Sequence, residues 1–373
     1  MLFIKGGRYV QLHKRRFPVL AWMVALCLLF GLLGCADHTG IYDETADANS
    51  GVSREIPPVN QPSPVHAPTK SLPDDHRSKE KKPVNSEDNT YTFVWMSDTQ
   101  LYSQAYPEIY LSMTQWIQEN LSSYNLCYVF HTGDVINKRT RPEQWAHADA
   151  AMGILDGVIP YSIAAGNHDV GRKKTSYEYF LHSFGEERFA FNTNKVLFYR
   201  GGEARAEWLD VGTLQFLIIA MGWNPKPDET IAWINELLQE NPNRIAILIT
   251  HNYLQADGSL AANGSLLYHR IVLPHPNLRM VLCGHNHNAV QNTAEIDDNG
   301  DEVVDRRVYQ LLADYQETEN GGNGFMRLLT ISEQTKELRV TTYSPYLDQY
   351  HCFDPQTDAF TLSIADWFPA AGS

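Results

Sequence analysis

Short apolar runs that are each followed by a polar cluster constrain the fold of this chain more than any other feature. The runs carry almost no charge and do not alternate between apolar and polar residues, which is typical of strands covered on both faces. Amphipathic stretches separate several of the runs, and strands that alternate with helices predict an α/β fold. The predicted strands are Tyr91–Met96, Leu126–Phe130, Pro160–Ala164, Leu214–Met221, Ile245–Ile249 and Arg279–Leu282.

The predicted helices begin at ordinary helix-start signals. Glu108–Asn120 and Glu143–Leu155 each follow a proline, and Asp228–Glu240 opens on acidic residues and ends near Pro242. Further along the chain, three more strands follow one another with turns between them, which predicts a meander that completes a second sheet. These strands are Val308–Leu312, Phe325–Ile331 and Leu338–Tyr343.

The N-terminal segment, 1–34, is typical of a secretory signal. Basic residues precede an uncharged apolar run, Phe17–Leu33, whose length is at the short limit for a bilayer span. The run ends in Leu32-Leu33-Gly34-Cys35, which resembles the lipobox of bacterial lipoproteins, whose cysteine becomes the lipidated first residue. We therefore expect a signal peptide over 1–34 and a membrane anchor on the lipid of Cys35. The alternative is an uncleaved membrane span, and both interpretations place the rest of the chain outside the cytoplasm at the cell membrane.

Residues 35–90 have the composition of a tether. Within 36–90 there are seven prolines and a single aromatic residue, Tyr42. Such a segment has too little apolar surface to offset the entropy lost on ordering, and its prolines favour extended structure. The remaining residues, 91–373, are long enough for one α/β domain.

The charge of the chain limits the class of partner. With 30 basic and 44 acidic residues, the formal net charge is -14, so we expect no stable nucleic-acid complex, because such complexes rest on basic residues that neutralise phosphates. A small anionic substrate in a locally basic cleft remains compatible with this charge. Two basic runs, at 138–141 and 172–174, attract such a substrate if they border the site, and are otherwise solvated loops.

Five polar clusters directly follow predicted strands. Since ligands of α/β sheets bind beyond the carboxyl ends of the strands, these distant residues are expected to converge on one edge. They offer carboxylate, amide and imidazole groups, which are the usual ligands of divalent metal ions, and glycines before three of them permit sharp turns. The clusters are Asp98-Thr99-Gln100, Gly133-Asp134, Gly166-Asn167-His168-Asp169, His251 and Gly284-His285-Asn286-His287.

The order of these clusters resembles the pattern of the calcineurin-like metallophosphoesterase family. That pattern is Asp-x-His, Gly-Asp, Gly-Asn-His-Asp or -Glu, a lone His, and Gly-His-x-His. The resemblance implies a sandwich of two mixed sheets flanked by helices, with two divalent metal ions (Mn, Fe, Zn or Mg) at one edge. It assigns Asp98, Gln100, Asp134 and His287 to the first ion. It assigns Asp134, Asn167, His251 and His285 to the second, so that Asp134 bridges the two.

The resemblance also implies the reaction. A metal-bridging hydroxide hydrolyses a phosphomonoester or a phosphodiester, and His168 faces the leaving group and assists its departure. The expected substrate is a small phosphoester or an envelope polymer that contains phosphodiesters. Asp169 either fixes the tautomer of His168 or caps a turn, and Asn137 either orients a ligand or caps a turn.

Gln100 departs from the family pattern, which usually has histidine at this position. An amide oxygen is a harder and weaker donor than an imidazole, so the first ion is expected to bind less tightly, to be Mn or Mg rather than Zn, or to contact Gln100 only through water. Asn137 stands where purple acid phosphatases carry a tyrosine ligand, so no tyrosinate–iron centre is expected. The departure at Gln100 also leaves open a second function, that of a catalytically weak, surface-tethered binding protein on a phosphoesterase scaffold.

Overall fold

Fourteen strands make up two mixed sheets in the computed structural model, which describes residues 89–224 and 226–368. In chain order the strands are β1 (Thr90–Met96), β2 (Leu126–His131), β3 (Tyr161–Ile163), β4 (Lys195–Tyr199), β5 (Ala204–Val211), β6 (Leu214–Met221), β7 (Ile245–Thr250), β8 (Leu278–Cys283), β9 (Asn288–Ile296), β10 (Arg306–Asp314), β11 (Met326–Ser332), β12 (Glu337–Ser344), β13 (Gln349–Tyr350) and β14 (Ala359–Ser363). All nine strands predicted from the sequence lie within one or two residues of observed strands.

The helices cover the outer faces of the sheets. They are α1 (Gln100–Ala105), α2 (Pro107–Glu119), α3 (Pro142–Met152), α4 (Asn167–Val170), α5 (Glu178–Phe184), α6 (Asp228–Glu240), α7 (Ala262–Leu267), α8 (Glu319–Gly322) and α9 (Pro355–Asp358). Helix α6 has the predicted bounds, and the predicted helix Glu143–Leu155 continues past α3 as a 3₁₀ turn, Gly153–Leu155. None of the helices in the described ranges is both long enough and apolar enough to cross a bilayer. The apolar run Phe17–Leu33 and Cys35 lie outside the described residues.

The two sheets face each other across a shared apolar core. The first sheet has the strand order β13-β12-β11-β1-β2-β3, with β14 paired to β12, and the second has the order β4-β5-β6-β7-β8-β10-β9. Phe93 of β1 meets Phe216 of β6 between the sheets, with ring centroids 5.4 Å apart. The two-sheet sandwich flanked by helices is therefore confirmed.

Strand β1 shows why the apolar runs are uninterrupted. Phe93 and Trp95 point into the core between the sheets, whereas Val94 and Met96 pack against the helices on the outer face. Because consecutive side chains of a strand point to opposite faces, a strand covered on both faces needs apolar residues at every position.

The predicted C-terminal meander is wrong. Strand β10, which contains Val308–Leu312, lies in the second sheet and runs parallel to β8, with Leu311 opposite Leu282. Strands β11 and β12 instead belong to the first sheet, where β11 is antiparallel to β1. The connection at residues 315–325 carries the chain from the second sheet to the first, so β10 and β11 are not neighbours, whereas β11 and β12 do pair as consecutive antiparallel strands.

Candidate metal centre

The carboxyl ends of strands from both sheets meet at one edge of the sandwich. Asp98 follows β1, and its carboxylate accepts a hydrogen bond from the backbone N–H of His285, which follows β8 in the other sheet (3.2 Å). Within each sheet, neighbouring loops are joined by backbone hydrogen bonds, from Asp98 to Gly133 and from Gly284 to His251 (3.0 Å each). The residues that were predicted to converge are therefore held on a common framework.

Three of the predicted ligands have a left-handed backbone. The φ angles are 51° at Asp98, 51° at Asp134 and 74° at His285. For residues other than glycine this conformation is uncommon, and such local strain clusters at functional sites. The surrounding hydrogen bonds hold these side chains in directions that an ordinary strand end would not give them.

The glycines of the motifs serve mainly to let side chains approach. Gly133 has a φ of +107° and does make the predicted sharp turn. Gly166 and Gly284 do not need a left-handed backbone. A Cβ on Gly166 would lie 2.1 Å from Asp134 Oδ1, and one on Gly284 would lie 2.0 Å from Asp98 Oδ2. Any other residue would therefore displace a carboxylate of the site.

Asp134, His251 and His285 form the tightest group of possible ligands among the described residues. One ligand atom of each lies within 4.8 Å of the others. His251 Nε2 is 3.1 Å from Asp134 Oδ2 and 3.2 Å from His285 Nδ1. His251 Nδ1 donates to the backbone carbonyl of Thr132 at 3.1 Å, which leaves Nε2 facing the centre, as is common for histidines that bind metals.

Asn167 lies beside this group and fits a cation in one orientation of its amide. With its oxygen turned toward His285, that oxygen is 2.9 Å from Nδ1, so two acceptors face each other. Exchanging the positions of the amide oxygen and nitrogen instead makes a hydrogen bond from Asn167 to Nδ1. In this second orientation the amide oxygen also accepts hydrogen bonds from Arg172 Nε (3.1 Å) and the backbone N–H of His168 (3.2 Å), so the amide is fully paired without a metal ion. In either orientation Asn167 lies 2.9 Å from His285 Nδ1, which is close enough for the two side chains to share a metal ion.

The residues assigned to the first ion are less closely gathered. Gln100 is buried, its Nε2 donates to Gln316 Oε1, and its Oε1 has no hydrogen-bond partner within the described part of the chain. His287 is partly exposed, and its Nε2 is 2.6 Å from Gln316 Nε2. These two side chains are therefore linked through Gln316 and do not contact Asp134.

The sequence analysis gave residues 314–317, at the end of β10 and in the loop after it, no role in the metal centre. Asp314, Gln316 and Glu317 surround His287, with Glu317 contacting its Nδ1. A signal was present, because Asp314-Tyr315-Gln316 repeats the Asp-x-Gln spacing of Asp98-Thr99-Gln100 directly after a strand.

Several buried carboxylates concentrate negative charge at the centre, which favours the binding of a cation. Asp98, Asp134, Asp169 and Asp314 are each at most 1% exposed. Burial raises the pKa of Asp98 well above its usual value, and the neighbouring Asp314 raises it further. Burial likewise raises the pKa of Asp314 to about 6 and that of Asp169 to about 7. A buried carboxylate is stable as an ion only where hydrogen bonds or a cation offset its burial, and Asp169 already accepts three backbone N–H groups. The other three carboxylates, Asp98, Asp134 and Asp314, are the donors that fit divalent metal ions.

His168 is oriented by backbone rather than by Asp169. Its Nδ1 donates to the carbonyl of Asn137 at 2.8 Å, and its Nε2 is 4.0 Å from Asp134 Oδ2. The idea that Asp169 fixes the tautomer of His168 is wrong, because adjacent residues of the helical turn α4 point in different directions. Asp169 caps the turn, since it accepts hydrogen bonds from the backbone N–H groups of Val135, Ile136 and Gly166 (2.9, 3.0 and 2.7 Å). Asn137 acts through its backbone, while its side chain contacts Gln104.

The metal-free centre should lose stability at alkaline pH because of His251. Burial alone would lower the pKa of this ring, but Asp134 raises it to about 10. The folded chain therefore holds this proton more tightly than the unfolded chain, whose pKa is about 6.5. The contribution is complete below pH 6.5 and is lost as the pH rises toward 10. Between pH 7 and 9 we expect the free energy of unfolding to fall by about 1.4 kcal/mol per pH unit.

Denaturant unfolding in EDTA at pH 7, 8 and 9 measures this slope. The window lies above the pH values at which Asp314 and His285 titrate. Asp169, with a pKa raised to about 7, titrates at its lower end, and burial also raises the pKa of Asp98, so the slope is compared with that of a variant. His251→Gln, which cannot bind the proton, is the matched control and should show a clearly shallower profile. An equal slope in the variant would assign the pH dependence to another group.

Comparison with known proteins identifies a family for this chain and finds one relative that is much longer than the chain. The family model of the calcineurin-like phosphoesterases matches residues 91–289, more than half of the chain. A curated Bacillus subtilis (strain 168) protein, "Uncharacterized protein YvnB", is 42% identical over 279 residues. That match covers 74% of this chain and 22% of YvnB, so the chain spans about a fifth of the length of this relative.

Two solved structures give weaker matches. The purple acid phosphatase PPD1 from yellow lupin (Lupinus luteus) seeds is 16% identical with a TM-score of 0.48, over 74% of this chain and 54% of that one. GAP50, the anchor in the inner membrane complex of Plasmodium, is 10% identical with a TM-score of 0.44, over 74% of this chain and 88% of that one. From the match of the family model, this chain belongs to the calcineurin-like phosphoesterase family.

Proposed function

We propose that this chain is a metal-dependent hydrolase of phosphoric esters that acts outside the cytoplasm and holds two divalent metal ions around Asp134. The observation that carries the proposal is the grouping of Asp134, His251 and His285 within 4.8 Å at the strand ends, with the Asn167 amide facing His285. When bound, the ions would activate a water molecule and neutralise charge on the phosphoryl oxygens. The second ion would be held by Asp134, Asn167, His251 and His285, and the first by Asp98, Gln100, Asp134 and His287.

His168 is the group that serves the leaving alcohol. The hydrogen bond from its Nδ1 to Asn137 fixes the ring so that Nε2 points away from the backbone and toward the acidic centre. Its side chain is 34% exposed, so a substrate can reach it, whereas the metal-ligand candidate His251 is fully buried. In the protonated form, Nε2–H gives its proton to the departing alkoxide oxygen.

Charge and space beside the centre suit a small phosphoester. Arg172 is exposed and close enough to His285 to lower the pKa of that ring, although burial has the larger effect. A cavity of about 190 Å³ adjoins His251 and is lined by Trp223, Asn252 and Asn263. This volume is below the roughly 300–1,000 Å³ of pockets for drug-sized ligands, so the part of a substrate that enters this cavity is at most one small ring or chain.

To test this function, the full chain is stripped of metal and then reloaded with Mn²⁺. It should hydrolyse p-nitrophenyl phosphate or bis-p-nitrophenyl phosphate, and EDTA should stop the reaction. The preferred substrate decides between monoester and diester, which the residues leave open. Metal binding without turnover on a broad phosphoester panel would instead favour the catalytically weak binding protein that the departure at Gln100 suggests.

The location is part of the proposal and rests on the N-terminal sequence. A lipid on Cys35 would hold the chain at the membrane, with residues 35–90 as the tether, within reach of small phosphoesters or an envelope polymer. Cys35→Ala should release the protein from the membrane fraction, because the anchor would be lost. The measurement is fractionation of cells that express the full chain, with Cys127→Ala as the control. Retention of Cys35→Ala at the membrane would point to an uncleaved span over 17–33.

A further inference from the structure

The loop after β10 brings three polar side chains to His287. Gln316 Nε2 is 2.6 Å from His287 Nε2, and Asp314 Oδ2 is 3.9 Å from the same atom. Glu317 contacts Nδ1 on the opposite side of the ring. Because a carboxylate at Nδ1 binds the proton there, the lone pair of His287 lies on Nε2 and points toward Asp314 and Gln316. This loop lies beyond residues 91–289, which the family model matches.

Asp314 is a buried carboxylate without a matching cation. It is 1% exposed, and among the described residues it makes no ion pair with lysine or arginine. Its Oδ1 accepts the backbone N–H of Gln316 at 3.0 Å, but its Oδ2 accepts only a long hydrogen bond of 3.3 Å from the Gln316 amide. A second buried carboxylate, Asp98, is close enough to be affected by its charge. Two such groups are costly to bury unless a cation lies near them.

The amide nitrogen of Gln316 lies where a cation would be expected. It points its hydrogens at two acceptors, His287 Nε2 and Asp314 Oδ2. The oxygen of the same amide accepts a hydrogen bond from Gln100 Nε2, and this arrangement leaves the buried Gln100 Oε1 with no partner within the described ranges. Three side chains that could bind a cation, His287, Asp314 and Gln100, are thus joined through one neutral side chain.

We propose that Asp314 is a direct ligand of the first metal ion, together with Asp98, Gln100, Asp134 and His287. This inference rests on the proposed two-metal function and adds a residue to it. Asp314 would be the third carboxylate of this set, and it supplies a stronger donor beside the amide of Gln100, which stands where the family pattern has an imidazole. The resulting set contains four oxygen donors and one nitrogen donor, which suits Mn²⁺ or Mg²⁺ rather than Zn²⁺.

The test is the binding of Mn²⁺ alone to the full chain. Asp314→Asn has nearly the same shape and keeps the oxygen that accepts the Gln316 N–H, so the loop should persist. Glu317→Gln is the matched control, because it removes a carboxylate that contacts His287 without facing the proposed ion. The number of ions per chain and their dissociation constants are measured by equilibrium dialysis with elemental analysis, and the spin coupling of paired Mn²⁺ by electron paramagnetic resonance.

The wild-type chain is expected to bind two ions. In Asp314→Asn the affinity of the weaker site for Mn²⁺ should fall by more than about 100-fold, and the signal of the spin-coupled pair should vanish. In Glu317→Gln the affinity should fall by only about 10- to 100-fold, as for a group that orients a ligand. A loss in Asp314→Asn no larger than that in Glu317→Gln would overturn the assignment. A wild-type chain that binds no ion would instead contradict the proposed function itself.

Thermal melting in EDTA shows whether Asp314→Asn folds. If it does not fold, a second variant tests the proposal. Asp314→His replaces an oxygen donor with imidazole, and the weaker site should then prefer Zn²⁺ over Mn²⁺ by at least about tenfold relative to wild type, following the preference of imidazole for zinc. An unchanged preference between the two ions would also overturn the assignment.

Discussion

Asp134→Asn should lower metal-dependent phosphoester hydrolysis by about 10³-fold or more. This magnitude corresponds to the loss of several kcal/mol of charge stabilisation by the metal ions, at about 1.4 kcal/mol for each tenfold in rate. Asp134 is the carboxylate of the tightest ligand group, and it lies 3.1 Å from His251 and accepts the backbone N–H of His168 at 2.8 Å. The amide variant keeps the shape and one oxygen but loses the charge that both ions would share.

The measurement is turnover with saturating Mn²⁺, followed by counting the ions that remain bound. Both ions should bind more weakly in Asp134→Asn, so the loss of turnover should accompany a loss of metal. Asp210→Asn is the matched control, because Asp210 is a carboxylate on β5 that is 60% exposed and pairs with Arg244. Turnover of Asp134→Asn within tenfold of wild type would mean that the reaction does not depend on a shared ion.

The part of the fold that the sequence predicts well is the part covered on both faces. Strands such as β6, with its run of apolar residues from Phe216 to Met221, have no solvent-facing side and therefore show no polar alternation. Five observed strands, β4, β5, β9, β13 and β14, were not predicted. The interior strand β5 lacks a recognisable run because Arg205, Glu207 and Asp210 interrupt its apolar residues. Strands β4 and β9 lie at the edges of the second sheet, where exposed positions alternate with partly buried ones. In β9 this leaves too few apolar residues for a recognisable run, so its existence depends on pairing with β10.

The same limit explains what was missed at the centre. The motif residues were predictable because each follows a strand whose end must lie on the common edge. Asp314 is the last residue of β10, and β10 lies between β8 and β9, a strand order that differs from the order along the chain. The error at Asp169 has a different origin, since adjacency to His168 in sequence says nothing about direction within a helical turn. The support of His168 by Asn137 comes from a backbone carbonyl, which every residue type carries.

His168→Gln should lower turnover by about 10²- to 10⁴-fold on an alkyl phosphate, the usual range for loss of a general acid. The effect should be much smaller on p-nitrophenyl phosphate, because nitrophenolate leaves readily without a proton. Metal content should be unchanged, since His168 Nε2 is 4.0 Å from Asp134 and lies outside the ligand group of Asp134, His251 and His285.

The comparison between leaving groups separates proton donation from simple damage to the site. His182→Gln, at an exposed histidine on α5, is the control and should leave both rates unchanged. If His168→Gln slowed both substrates equally, the ring would be acting on the phosphoryl group rather than on the leaving oxygen. If it also removed metal, His168 would be a ligand. Retained metal with a leaving-group-dependent loss is expected only when the proton from Nε2 reaches the departing oxygen.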